Sequence, residues 1–278
     1  MDEGHDVRRG KIRIRILMIY FLSDAHLGSK AIERSWAHQK KLIKMLRRMG
    51  RDASAVYLLG DMFDFWFEYF ITDKSKKQYH EFMHTIRHLV RKGVHVHFFT
   101  GNHDIWTFGG LKQMTGMVIH HNPYSMTAYG KSIYMAHGDG LLPSDYERLY
   151  PKRVVRKIHS FMRLRNFFHH PVPQFLFRCL PPKIGNAIGY GWAKKSRLKE
   201  LANPVPYKGE DKEELVLFAK EQEQKEHHDY YIFGHRHIDL DLQIAKDSRV
   251  VILGDCFKLF TYARLDDEGN LTLETYDA

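Results

Sequence analysis

Residues 98–106 read FFTGNHDIW. An apolar, aromatic run of the kind that builds a buried strand ends at a glycine. Asn102, His103 and Asp104 follow before apolar side chains resume at Ile105 and Trp106. Four other polar clusters follow apolar runs in the same way: Asp24-Ala25-His26 after IYFLS, Gly60-Asp61 after VYLL, His137-Gly138-Asp139 after IYMA, and Gly234-His235-Arg236-His237 after YYIF. Loops at the carboxyl ends of strands in an α/β sheet converge on one crevice, so the five clusters are expected to meet there. In extended chain, residues i and i+2 point to the same side, which lets Asp24 with His26, and His235 with His237, each face a common point.

Outward from these clusters the chain alternates. ILMIYFL (16–22), a helix from about Glu33 to Met49, AVYLL (55–59), a helix from about Ser75 to Arg91, VHVHFFT (94–100) and SIYMA (132–136) follow one another. This order predicts an α/β sheet with parallel pairs. The end of the chain, YYIF (230–233), RVVIL (249–253), LFTYARL (259–265) and LTLETY (271–276), reads as consecutive strands of an antiparallel or mixed second sheet. His80, His84 and His88 recur at helical spacing, but Tyr79, Phe82, Met83, Ile86, Leu89 and Val90 make the buried stripe beside them, so the three histidines are read as a solvated face.

The chain has 278 residues, a net charge of +10, 19 histidines and two cysteines. Cys179 and Cys256 cannot form a disulfide framework and fit a reducing cytosol. No window has the roughly 18 uncharged apolar residues of a membrane span. ILMIYFL is short and lacks a small-residue cleavage site, so it reads as the first strand rather than a signal peptide; residues 1–17 are expected to be a flexible extension, with Met18 as an alternative start. The remainder, 18–278, reads as one domain interrupted by a helical cap at about 140–228. Residues 148–200 hold thirteen Lys or Arg against one acid, Glu200, so the positive charge belongs to the insertion.

Carboxylates, an amide oxygen and neutral imidazoles form a ligand set suited to Mn, Fe or Zn and too rich in nitrogen for Ca. Asp24, His26, Asp61, Asn102, His137, His235 and His237 are too many for one four-coordinate site. They suit two metals about 3.5–4 Å apart sharing a carboxylate, an arrangement that clamps a phosphoryl group and lowers the pKa of a water. Gly60, Gly101 and Gly234 fit tight turns or close backbone approach.

With D-x-H, G-D, G-N-H-D, H and G-H-x-H in order as DAH, GD, GNHD, H and GHRH, the sequence resembles the calcineurin-like metallophosphoesterases. The resemblance implies a sandwich of two mixed β-sheets flanked by helices, with the cap inserted. It implies that Asp24, His26, Asp61 and His237 hold one divalent metal and that Asp61, Asn102, His137 and His235 hold the other, Mn first with Fe, Zn or Mg as alternatives. His103 would face the substrate phosphate as acid or charge partner, and Asp104 would hold its ring and favour the protonated form. Asp139 reads either as an outer orienter of His137 or as a surface carboxylate.

From about Tyr20 to Tyr262 the chain is similar to the UDP-2,3-diacylglucosamine diphosphatases of lipid A synthesis, which carry a helical insertion between HGD and GHRH; GDMFDFW and AKKSR also look like that group. The resemblance implies hydrolysis of a nucleotide-activated glycolipid to UMP and 2,3-diacylglucosamine 1-phosphate. A cap would cover the acyl chains, and Lys194, Lys195, Ser196 and Arg197 are candidates for the phosphate and sugar. It also implies a cytoplasmic enzyme held peripherally at the anionic inner membrane of a Gram-negative bacterium. Two departures stand out: His103 occupies the usual position of an arginine, and Gly140 that of a threonine. A nuclease or nucleotide phosphodiesterase with the basic, aromatic insertion as its groove is the enzymatic alternative. A non-catalytic binding scaffold is the alternative of another class. Nucleic acid is not the first choice of partner, and no protein partner is inferable.

Overall fold

The computed structural model describes residues 17–203 and 206–277, so the extension expected over 1–17 lies outside the described residues except for Leu17. The first half alternates strand and helix: β1 (Met18–Leu22), α1 (Ser35–Met49), β2 (Ala53–Leu59), α2 (His80–Arg91), β3 (His95–Phe99), α3 (Gly110–Thr115) and β4 (Val118–His120). Then come β5 (Tyr124–Ala128), β6 (Lys131–Ala136) and four helices: α4 (Tyr146–Leu149), α5 (Lys152–His169), α6 (Pro171–Arg178) and α7 (Pro182–Ala202). The chain closes with α8 (Glu214–Glu223), β7 (Tyr230–Phe233), β8 (Asp239–Ala245), β9 (Ser248–Leu253), β10 (Thr261–Leu265) and β11 (Leu271–Thr275).

Two mixed sheets result, ordered β11-β10-β1-β2-β3-β4 and β5-β6-β7-β9-β8. Strands β1 to β4 pair in parallel, as do β6, β7 and β9. Alternation along each strand divides the core into layers. Tyr20, Leu22, Val56, Leu58, Val96 and Phe98 meet Leu42, Leu46, Phe82 and Ile86 of the helices, while Ile19, Phe21, Ala55, Tyr57 and Leu59 face Ile133, Met135, Ile232 and Val251 of the other sheet. The fold is therefore the sandwich the motifs imply.

Three local expectations are corrected. β10 and β11 were expected to follow β7 and β9 in the second sheet; instead β10 returns to the first and pairs antiparallel with β1. Ala263, Leu265 and Leu271 point into the layer that both sheets share, so the apolar alternation sets the face of these strands but not their partner. The helix expected from Ser75 begins as a 3-10 turn, Lys74–Tyr79, in which the Asp73 carboxylate accepts from the Ser75 amide at 2.9 Å. Regular α-geometry starts at His80, with His80, His84 and His88 exposed and Phe82, Met83, Ile86 and Leu89 buried. Finally, α8 lies within the span expected for the cap but packs Leu215, Val216 and Ala219 on Tyr231, Phe233 and Val250 of the second sheet.

The cap meets the body along a seam of small residues. Gly185, Gly189 and Ala193 of α7 are buried against an aromatic cluster that includes Phe65, Tyr69 and Trp106. A Cβ placed on Gly189 would stand 2.2 Å from the Phe65 ring. Gly189→Ala should overpack this seam at a cost of about 1–3 kcal/mol. The expected readout is faster hydrogen exchange in α7 with unchanged protection in β1–β3; equal exchange in α7 would contradict the packing.

Candidate metal centre

The five polar clusters leave the carboxyl ends of β1, β2, β3, β6 and β7. Three of them, around Asp24, Asp61 and His235, do not reach the centre through extended chain, which the i, i+2 argument expected of the first and the last. Asp24 (φ 52°), His26 (φ 43°), Asp61 (φ 50°), His235 (φ 67°) and His237 (φ 52°) all adopt left-handed backbone. That conformation costs a non-glycine residue about 1–2 kcal/mol. Inter-loop hydrogen bonds hold it: the Asp24 amide donates to the Gly60 carbonyl at 3.0 Å, that of His26 to Asp61 at 3.0 Å and that of Gly234 to His137 at 2.9 Å. Glycine at 60, 101 and 234 leaves the room, since a Cβ there would lie 2.4 Å from His137 Nδ1, 2.2 Å from Asp61 Oδ1 and 2.6 Å from Asp24 Oδ2, respectively.

Donor atoms gather in groups. His237 Nε2 lies 3.1 Å from Asp24 Oδ1 and 3.4 Å from His26 Nε2, and His26 Nε2 is 3.8 Å from Asp24 Oδ1. Asp61 Oδ2 is 3.9 Å from His26 Nε2 and 3.5 Å from His137 Nε2, and His235 joins Asp61 and His137 in the second group. Ligands bound at about 2.0–2.2 Å to a common ion stand about 3–4 Å from one another, so these separations suit divalent cations. Asn102 Oδ1 and His137 Nε2 are buried and have no hydrogen-bond partner among the described residues. Such orphaned polar atoms cost about 1–3 kcal/mol each, which a bound cation would offset. His137 Nδ1 is engaged by the Leu59 carbonyl at 2.8 Å, which fixes the ring and leaves Nε2 for the centre.

The charges compensate one another. Burial pushes the Asp24 and Asp61 carboxyls up, yet the His237 ring beside Asp24 and the His137 ring beside Asp61 hold both well below the usual range. Burial opposes protonation of those rings too, but Asp61 raises His137 well above its ordinary value and Asp24 raises His237 to about 9. His235, buried and next to His137, is lowered to about 4.

His103 and Asp104 depart from expectation. The Asp104 carboxylate accepts from the amides of Gly101 (2.8 Å), Phe63 (3.2 Å) and Asp61 (3.3 Å), whereas the His103 ring is held through Nδ1 by the Asp64 carbonyl at 2.8 Å. Burial lowers His103, which works against the protonated form expected for it, and burial next to the Asp61 charge raises Asp104 to about 8. The ring also gathers with His26 and Asp61 in a third donor group, and Trp192 of the cap lies over it at 5.2 Å between centroids.

The cap residues separate. Lys194, Lys195 and Ser196 are exposed, but Arg197 is buried with Nη2 at 2.6 Å from His26 Nδ1, and its Nη1 donates to Glu200 at 2.6 Å. Glu200 Oε1 lies 2.8 Å from His237 Nδ1, and the contact lowers its carboxyl to about 2 although burial raises it. Asp139 is neither an orienter of His137 nor a surface group: it is buried and accepts from Arg165 of α5 at 2.7 Å, tying cap to body. Sequence reading missed Asp64, Arg165, Trp192 and Glu200. The one signal for Glu200 was its isolation as the single acid among thirteen bases.

A metal-bound imidazole is neutral, whereas His237 with its value raised to about 9 carries a proton at pH 7. Metal uptake at pH 7 should therefore release protons, and apparent affinity should rise with pH until about 9. Calorimetry in two buffers of different ionisation heat measures this; heats independent of buffer would contradict it. Asp61→Ala removes the carboxylate whose Oδ2 stands between His26 of the first group and His137 of the second, and should cost both ions together, read as metal content of the folded protein.

The calcineurin-like phosphoesterase family description matches residues 17–239. A Porphyromonas gingivalis protein named UDP-2,3-diacylglucosamine hydrolase is 34% identical over 271 residues, covering 93% of this chain and 97% of the relative. A Haemophilus influenzae protein of the same name is 26% identical over 251 residues, covering 90% and 95%. Motif order, fold and these matches place the chain in the calcineurin-like phosphoesterase family.

Proposed function

We propose that the chain is a dinuclear-metal phosphoanhydride hydrolase that cleaves UDP-2,3-diacylglucosamine to UMP and 2,3-diacylglucosamine 1-phosphate. The observation that carries the substrate is a cavity of about 310 Å³ between cap and body, lined by Phe65, Phe67, Ile105, Trp106, Phe161, Phe168 and Trp192 and reaching Asn102. A nucleic-acid groove would present cations and exposed stacking faces along an open channel. This cavity is apolar and begins at a candidate metal ligand, which suits acyl chains attached next to the scissile phosphate.

Two divalent ions held by Asp24, His26, Asp61 and His237 and by Asp61, Asn102, His137 and His235 would supply activation of water and neutralisation of the phosphoryl oxygens. Mn is the proposed ion. Water oxygen bonds to the phosphorus nearer uridine, and that phosphorus loses the bridging oxygen to the departing sugar phosphate. His103, fixed by the Asp64 carbonyl at Nδ1, offers Nε2 to move a proton at this point. The His103 ring is itself buried, with Trp192 and the aromatic cavity wall beside it.

Location at a membrane surface is supported by the cap. Phe167, Val172, Phe175, Leu176, Ile184 and Ile188 are exposed, as are Lys152, Arg153, Arg156 and Lys157 of α5. Among the described residues no helix is long and apolar enough to cross a membrane. Apolar side chains flanked by cations suit peripheral attachment to anionic lipid, on the cytoplasmic face of the inner membrane of a Gram-negative bacterium.

With UDP-diacylglucosamine and water labelled with heavy oxygen, label should enter UMP alone; label in the lipid product would place attack at the other phosphorus. Cleavage of single-stranded DNA in preference to this substrate would replace the lipid reading by the nuclease one. His103→Ala should keep both metals and lose rate by about 10²- to 10⁴-fold. Loss of metal in step with rate would move His103 into the ligand set. Replacing Lys152, Arg153, Arg156 and Lys157 by Gln should lower binding to anionic vesicles while leaving hydrolysis of a short-chain soluble analogue intact.

A further inference from the structure

The last two turns of α7 reach from the cap into the candidate metal centre with an Arg197–Glu200 pair spaced i, i+3. The two oxygens of Glu200 have separate partners: Oε2 accepts from Arg197 Nη1 at 2.6 Å, and Oε1 stands 2.8 Å from His237 Nδ1. Arg197 Nη1 is farther from that nitrogen, at 3.4 Å, so Nδ1 donates to the carboxylate rather than competing with the guanidinium. The opposite ring nitrogen, Nε2, lies 3.1 Å from Asp24 Oδ1 and 3.4 Å from His26 Nε2, among the other donors. A carboxylate on one imidazole nitrogen fixes the tautomer and the ring plane, and it makes the other nitrogen a better ligand. His237 has particular need of such a partner, because it sits at φ 52° in a loop beyond the end of β7.

We propose that Glu200 is a positioning residue for the metal ligand His237, supplied by the cap rather than by the body. Arg197 orients the Glu200 carboxylate, and the helix that carries both is seated on the body by Gly189 and Ala193. Docking of the cap and occupancy of the Asp24–His26–His237 group are thereby linked: a cap lifted from the body strips His237 of its Nδ1 acceptor and weakens that ion, while the Asp61–His137–His235 group keeps its own support from the Leu59 carbonyl. The inference rests on the two-metal reading of the site.

The test is titration of metal-free wild type, Glu200→Ala and Glu200→Gln with Mn²⁺, followed by calorimetry and by the manganese retained after gel filtration. In Glu200→Ala one of the two ions should bind about 10- to 100-fold more weakly and the other as in wild type. Glu200→Gln, which keeps an oxygen acceptor for Nδ1, should recover most of the loss. A purely structural ion pair with Arg197 would not single out one ion, nor would the neutral glutamine restore it. Two ions bound with wild-type affinity by Glu200→Ala would overturn the role of Glu200 alone. Loss of both ions together from a folded Glu200→Ala protein would also overturn it. Wild-type protein that took up no Mn²⁺ would remove the two-metal reading and the inference with it. Should the alanine variant fail to fold, the near-isosteric glutamine variant decides: wild-type-like affinity supports the hydrogen bond, and loss of both ions overturns it.

Discussion

A reciprocal clamp between two buried loops carries the centre. The Asp104 carboxylate accepts the amides of Gly101, Asp61 and Phe63, while Asp61 Oδ1 accepts the amide of His103. Each loop thus satisfies the other's backbone, and Asp61 Oδ2 is left toward the donors on both sides. The clamp needs Gly101 without a side chain, and it offsets the left-handed backbone of Asp61. Remove it, and the ends of β2 and β3 have no reason to bring a carboxylate and an amide oxygen to one point.

How far this was legible in the sequence depends on the kind of information. The parallel half of the sandwich and the meeting of five strand-end clusters follow from alternation and from polar residues at the ends of apolar runs. The path of convergence does not. Nothing in DAH or GHRH signals positive φ, because the conformation is imposed by hydrogen bonds from other loops, such as the Asp24 amide to Gly60. For the same reason the pattern GNHD does not reveal what Asp104 does: it bonds three amides, two of them from the loop after β2, a relation that no local pattern contains. The return of β10 to β1 was hidden because Ala263 and Leu265 face a layer common to both sheets.

The cap was visible as a charge anomaly, but charge alone does not separate its inward residues from its exposed ones. Lys194, Lys195 and Ser196 are exposed on α7, and the residues that reach inward are Arg197, the acid Glu200 and Trp192. The distribution follows from helix geometry. A helix seated by Gly185, Gly189 and Ala193 brings the next residue of that row, Arg197, to the same face, and leaves the lysines on the solvent side. Position on the row set by Gly185, Gly189 and Ala193, rather than positive charge, is the guide to which α7 residues meet the body.

The homecoming of β10 also bears on how the chain is made. Ile19 pairs with Leu265 and Phe21 with Ala263, so one edge of β1 has no strand beside it until β10, far downstream in the chain, has been made. His235 and His237 arrive almost as late. The half-sheet β1–β4 must therefore wait with an unpaired, apolar edge, a pairing template for other nascent chains. High sequence separation makes such closure slow and leaves aggregation as its competitor while the edge stands open.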